Sequence, residues 1–213
     1  MVASLGSKVN HSHVEAGQIF DGGDQAPSGL LEDWFSDRYG DLEIEVGCSH
    51  GNFLCRIARA NPFTKFIGID VNADRCYRAA MRIVSFNLPN ACVVNSEAHG
   101  FFLNRVPSNF ISGVHIYFPT PYPKSIGLSD RLLSVDFLEE VYRTLRPGGT
   151  LRIATDLVGY FNYICDNLRF RDWWKIEWRP PVSDLTDKNL IVGTPCEFKY
   201  REKSEILEIQ VMK

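Results

Sequence analysis

The chain has 213 residues, 45% of them apolar, enough to bury one substantial core and too few for two ordinary domains. Its net charge of -3 gives no general bias toward polyanions, so any nucleic-acid contact needs a local basic patch. Six cysteines, at positions 48, 55, 76, 92, 165 and 196, include no CxxC pair and are joined by only five histidines, which argues against a metal site and suits a reducing cytoplasm.

Residues 1–27 are polar and glycine-rich and lack the apolar core of a signal peptide; they read as a flexible N-terminal segment able to order as a lid, and His11 and His13 within it make a poor metal pair. No run reaches 18 apolar residues, so no membrane span is expected. Residues 28–213 then form one domain. Behind Ser28 as a cap, Leu30, Leu31, Trp34 and Phe35 have helical spacing.

From there, apolar β-branched runs alternate with helical stretches: Leu42 to Val46, Phe66 to Ile69, Ala91 to Val94, Val114 to Phe118 and Leu151 to Ala154. Strands separated by helices predict a parallel, doubly wound Rossmann-like α/β sheet. The helix Asp136 to Leu145 sets Phe137, Leu138, Val141 and Leu145 on one face and stops at Pro147-Gly148-Gly149. Trp173, Trp174, Ile176 and Trp178 form an aromatic patch broken by Pro180-Pro181. Leu207, Ile209 and Val211 alternate with Glu208 and Gln210 and predict a closing antiparallel strand exposed on one face.

Chemistry enters at Glu45-Val-Gly47-Cys-Ser49-His-Gly51, a variant glycine-rich turn between the first strand and its helix, with Asp70 nineteen residues beyond Gly51. Gly47 and Gly51 let backbone approach a ligand, the Ser49 hydroxyl can cap the following helix, and Asp70 can accept hydrogen bonds from a ribose diol. Glu45 would repel a pyrophosphate but suits a cationic cofactor, and Glu97, beside Ala98 after the third strand, is placed for an adenine amino group. Three acids at three strand ends point to S-adenosylmethionine rather than a dinucleotide.

The segment Tyr117-Phe118-Pro119-Thr120-Pro121-Tyr122-Pro123-Lys124 is too proline-rich for helix or inner strand and must be a shaped loop at a strand end, where open α/β sheets bind ligands. With the turn at Glu45, the strand ending in Asp70, Leu145-Arg-Pro-Gly-Gly-Thr-Leu-Arg-Ile-Ala-Thr-Asp156 and Thr194-Pro-Cys-Glu197, this loop resembles the tRNA (guanine-N7)-methyltransferase family from about Leu42 to the C-terminus. The resemblance implies a class I methyltransferase fold using S-adenosylmethionine. It places Glu45, Gly47, Ser49, Gly51, Asp70, Glu97, Ala98 and Phe118 on the cofactor, with Thr194 and Glu197 closing over it. Asp156, Thr120 and Tyr117 become the catalytic candidates, and Lys124, Tyr122, Tyr160 and Arg131 the substrate contacts. Aromatic faces at Tyr117, Phe118, Tyr122 and Tyr160 can each stabilise a sulfonium by about 0.5 to 2 kcal/mol.

Two departures fall on the acceptor side. Thr120 stands where the family carries an aspartate between two prolines, and threonine supplies neither charge nor a base at neutral pH. Beyond Lys124 the family's basic run is replaced by Ser125-Ile-Gly-Leu-Ser-Asp130, leaving Lys124 and Arg131 as cations, a loss that weakens phosphate binding steeply. The expectation is therefore a transferase diverged toward a nitrogen of a small molecule, with intramolecular cyclisation of S-adenosylmethionine itself as a special case. tRNA guanine-N7 methylation is the alternative and a non-catalytic cofactor-binding subunit the third reading.

Overall fold

The computed structural model describes residues 19–21, 40–120, 132–169, 172–178 and 206–213. The expected helix at 28–35 and the segment around Pro180-Pro181 lie outside them. Among the described residues eight strands form one sheet: β1 (Ile19–Asp21), β2 (Asp41–Val46), β3 (Thr64–Asp70), β4 (Ala91–Asn95), β5 (Ile111–Tyr117), β6 (Leu145–Thr155), β7 (Lys175–Trp178) and β8 (Leu207–Met212). Their spatial order is β1-β4-β3-β2-β5-β6-β8-β7. β1 to β6 pair in parallel, and β8 runs antiparallel to both β6 and β7. All five strands expected in the parallel part are present. β1 arises within the N-terminal segment and pairs with β4, while β7 forms from the tryptophan-rich stretch.

Five helices fall within the described residues, α1 (Asn52–Ala60), α2 (Ala73–Ser85), α3 (Ala98–Arg105), α4 (Val135–Thr144) and α5 (Val158–Arg169). Each has a reason in its sequence. Asn72 caps α2 by accepting from the Arg75 amide at 3.0 Å, and Cys76, Ala79, Ala80 and Ile83 then recur at helical spacing on its buried side. Ser134 caps α4, whose buried residues include Phe137, Leu138 and Val141. Helix α4 ends at Thr144 and Leu145 already belongs to β6; the Pro147-Gly148-Gly149 stop makes a register shift against β5, with Gly148 at φ 78°.

Alternation along the strands separates two cores. Ile44, Ile69, Val94, Ile116, Ile153 and Val211 face α3, α4 and α5, whereas Phe66 and Val93 face α1 and α2. The second face changes character halfway across the sheet. Gly68, Glu45, His115, Arg152, Gln210 and Glu177 are register partners on successive strands, so a polar row crosses β2, β5, β6 and β8. This corrects one expectation: the polar side of β8 is not a solvent face at Gln210, which is only 8% exposed. Sequence alternation marks this side as polar; the row explains why it is polar and buried. No helix among the described residues is long and apolar enough to cross a membrane.

Candidate functional site at the carboxyl ends of the strands

Sheet order reverses between β2 and β5, because the chain moves from β2 outward to β3 and β4 and returns to the other side for β5. In such sheets the crevice beyond the carboxyl ends of the two central strands is the natural ligand site. Glu97 and Asp70 lie on one side of it, Glu45 and Gly47 at its centre, Tyr117 and Asp156 on the other.

The turn after β2 places three residues in the left-handed region within five positions, Gly47 at φ 78°, Ser49 at 50° and Gly51 at 71°. Amides of Gly47 and Cys48 both bond to the Ile69 carbonyl, at 2.8 and 3.0 Å, which ties the turn to β3. The glycines have different reasons. Among the described residues a Cβ on Gly47 would meet nothing within 4 Å, so its backbone faces open space, whereas one on Gly51 would lie 2.9 Å from Ala79 Cβ. Gly51 thus serves the close approach of α1 to α2. Nor does Ser49 cap α1: the N-cap is Gly51, without a side-chain bond, and the Ser49 hydroxyl lies 3.3 Å from His50 Nδ1.

Asp70 is 6% exposed and its carboxylate braces the turn, Oδ2 accepting from the Ser49 amide and Oδ1 from the Asn72 amide, both at 2.9 Å. Four lone-pair sites on a carboxylate leave it capacity for a ribose hydroxyl. Asn95, which sequence reasoning passed over, donates to the Asp70 carbonyl at 2.9 Å and locks the ends of β3 and β4 together. Gly68 was also missed; a Cβ there would be 2.7 Å from Leu54 Cδ2 and 2.9 Å from Cys48 Cβ, so β3 must be bare under the turn.

Glu45 is the most unusual group. It is 6% exposed and, among the described residues, Oε2 has no hydrogen-bond partner. Burial pushes its carboxyl up to about 8, against a lowering hydrogen bond from the Leu54 backbone and with the Asp70 charge adding to the rise. A buried acid with a bare oxygen beside an open glycine backbone fits a cofactor that brings positive charge, and fits a pyrophosphate poorly.

Glu97 has a structural duty. Its Oε1 and Oε2 accept from the His99 and Gly100 amides at 2.8 and 2.7 Å, making it the N-cap of α3, with Ala98 buried behind it. Replacing Glu97 by alanine is expected to cost about 1 kcal/mol, read as a lower midpoint in urea at unchanged slope. Any loss of adenine affinity beyond that separates the ligand role from the cap.

On the acceptor side, Tyr117 ends β5 and Phe118 follows at φ 51°, an uncommon conformation for a bulky residue that turns the chain sharply. The Phe118 amide bonds to the Ala154 carbonyl at 2.8 Å, Thr120 is exposed, and Asp156 is half-buried just beyond β6. Tyr160 is not a wall of this crevice: it is 2% exposed in the core on the opposite face, its ring 5.8 Å from and nearly parallel to Tyr163. Tyr122, Lys124, Arg131, Thr194 and Glu197 lie outside the described residues.

A second group on this side escaped the sequence reading. His115 Nε2 is 2.6 Å from Glu43 Oε2 and His115 Nδ1 is 2.7 Å from the Tyr117 hydroxyl, with the Phe53 ring against both rings at 5.1 and 4.8 Å. The signal was present as alternation, Glu43 with Glu45 and His115 with Tyr117, inside runs taken as apolar strands.

This sheet order, with a glycine turn and acids at successive strand ends, defines the class I S-adenosylmethionine-dependent methyltransferases. Residues 40–203 match the model of the family described as "Putative methyltransferase", and the chain belongs to that family, alongside the tRNA (guanine-N7)-methyltransferases its motifs resemble. Relatives include the tRNA (guanine-N7)-methyltransferase of Geobacter metallireducens, 36% identical over 56% of this chain and 56% of the relative. That of Thermotoga maritima is 29% identical over 79% of this chain and 51% of its own length. The match thus spans about half the length of these relatives. Among solved structures, the 16S rRNA methyltransferase KamB is 16% identical with a TM-score of 0.60, covering 91% of this chain and 99% of its own, a likeness of fold.

Proposed function

We propose that the chain transfers a methyl group from S-adenosylmethionine to N7 of a guanine in tRNA, the activity its curated relatives are named for. The bare, buried oxygen of Glu45 beside the open backbone of Gly47 carries the cofactor half of this proposal. Asp70 would take the ribose, the region of Glu97 and Ala98 the adenine, and Glu45 the positive end; Thr194 and Glu197 would close over them. Bound there, S-adenosylmethionine supplies an electrophilic methyl group on a sulfonium. Guanine N7 already presents a lone pair, so the chain has to align the acceptor and exclude water more than to move protons. Asp156 would accept hydrogen bonds from the base, Thr120 would orient it, and Lys124 and Arg131 would meet the backbone.

The test is methyl incorporation into transcript tRNA with mapping of the modified base. Asp156→Ala should lower kcat/KM by at least about 100-fold, the scale of losing a positioned transition-state contact. Unmodified tRNA with the wild-type chain would overturn the proposal.

One observation favours a second acceptor. Thr120 sits exposed where the family carries aspartate, and the basic run after Lys124 is missing, which supports transfer to a nitrogen of a small molecule, including the amine of the cofactor itself. Incubation with S-adenosylmethionine alone, then with tRNA or a metabolite pool, separates these by mass spectrometry. Methylthioadenosine without acceptor marks cyclisation, and S-adenosylhomocysteine that depends on tRNA marks the first reading.

A further inference from the structure

We infer that Glu43, His115 and Tyr117 form a positioning chain that holds Tyr117 Oη as a hydrogen-bond acceptor beside the reacting end of the cofactor, where it discriminates the charged sulfonium from the neutral thioether left after transfer. This rests on the cofactor site proposed above.

The chain of contacts assigns the protons. Burial pushes the Glu43 carboxyl up, but the hydrogen bond from His115, with Arg152 and Arg146 further off, outweighs it and leaves the group below the ordinary range. Ionised Glu43 accepts a hydrogen bond from His115 Nε2–H at 2.6 Å, and in the inferred chain Nδ1, which faces the phenol at 2.7 Å, takes the acceptor role there. Burial, opposed by Arg152 and reinforced by Glu45, Glu208 and Glu43, raises the Tyr117 phenol well above its usual value, so it keeps its proton and its O–H donates a hydrogen bond to Nδ1. With its only hydrogen directed at His115, Tyr117 Oη has nothing but lone pairs to offer a ligand.

The fold commits residues to this arrangement. Gly113 is the register partner of Glu43, and a Cβ there would meet Glu43 Cδ at 3.1 Å and Cγ at 3.2 Å. A strand interior weakened by glycine thus makes room for Glu43 to lie across β5. Phe53, on α1 directly after the cofactor turn, packs on both His115 and Tyr117, so the chain of contacts lies directly against the element that the turn leads into. Placement follows from register. Glu45 pairs with His115, Tyr117 is two residues further toward the carboxyl end, and the crevice opens between those two strands. With the ribose at Asp70 on β3 and the positive end at Glu45 on β2, the sulfonium faces β5. There an acceptor-only oxygen attracts a positive sulfur and its polarised C–H groups, and loses that attraction once the sulfur is neutral.

The test is calorimetric binding of S-adenosylmethionine and S-adenosylhomocysteine to the wild type, Tyr117→Phe, His115→Ala and Glu43→Gln, with thermal melts to show each variant folded. Tyr117→Phe should weaken S-adenosylmethionine about tenfold while S-adenosylhomocysteine stays within about twofold. His115→Ala, which frees the phenolic hydrogen to turn outward, should move the ratio the same way. Glu43→Gln still accepts from Nε2–H through its amide carbonyl and should restore most of it. Equal weakening of both ligands in Tyr117→Phe would make the tyrosine a packing residue and overturn the inference alone. Failure of the wild type to bind either ligand would overturn the cofactor site with it.

Discussion

Replacing Glu45 by glutamine is expected to weaken S-adenosylmethionine binding strongly and to remove its dependence on pH. In the free protein the Glu45 carboxyl is raised to about 8 by burial, so it is protonated at pH 7. A cationic cofactor favours the ionised form, so binding must expel that proton. Affinity of the wild type should therefore rise by up to tenfold per pH unit from about 6 to 8 and level off above. Calorimetry at pH 7 in two buffers of different ionisation enthalpy should show the release of close to one proton, and Glu45→Gln should show none. Pyrophosphate-bearing ligands should bind neither form.

The same group shapes the stability of the free protein, with the sign opposite to that of a salt-bridged acid. Between the unfolded value of 4.5 and the folded value of about 8, the native state holds the proton more tightly than the unfolded chain. This contribution is complete below pH 4.5 and is lost as pH rises to 8, a fall on the order of 5 kcal/mol at most. Glu45→Gln keeps an acceptor for the Leu54 amide and removes the titration. Its free form should be less pH-sensitive than the wild type and more stable above pH 8, as measured by urea midpoints. A loss of stability at pH 8 would show that Glu45 has a partner in solution.

Much of the fold was legible because strand and helix periods are strong signals. Leu42, Ile44 and Val46 alternate against one core, and Cys76, Ala79, Ala80 and Ile83 recur along a helix. The strand ends carrying Glu45, Asp70 and Asp156 followed from the same runs. Packing was not legible. Nothing local shows that Gln210 is buried, that Tyr160 points into the core, or that Glu97 spends both oxygens on the amides of α3. The His115 chain was hidden because its members are 72 and 2 residues apart. Only register brings Glu43 over Gly113 and within reach of His115, and register depends on the partner strand.

The glycine turn shows how position separates two residues that look alike in the motif. Gly51→Ala is expected to destabilise the protein by about 3 kcal/mol, combining left-handed strain with overpacking. The new Cβ would sit 2.9 Å from Ala79 Cβ and 3.2 Å from Ala79 Cα, where the backbone of α2 cannot step aside. Gly47→Ala carries the strain without the contact, since nothing lies within 4 Å, and should cost about 1 kcal/mol. Cofactor affinity should reverse that order. Gly47→Ala fills the space the ligand backbone approach requires and should lose binding at a temperature where it remains folded, while Gly51→Ala below its melting point should bind within a few-fold of wild type. The double variant Gly51→Ala with Ala79→Gly removes the atom that Gly51→Ala strikes. Its stability should exceed the sum of the two single losses by about 1 to 2 kcal/mol, and strict additivity would mean that α1 and α2 are not in contact at this point.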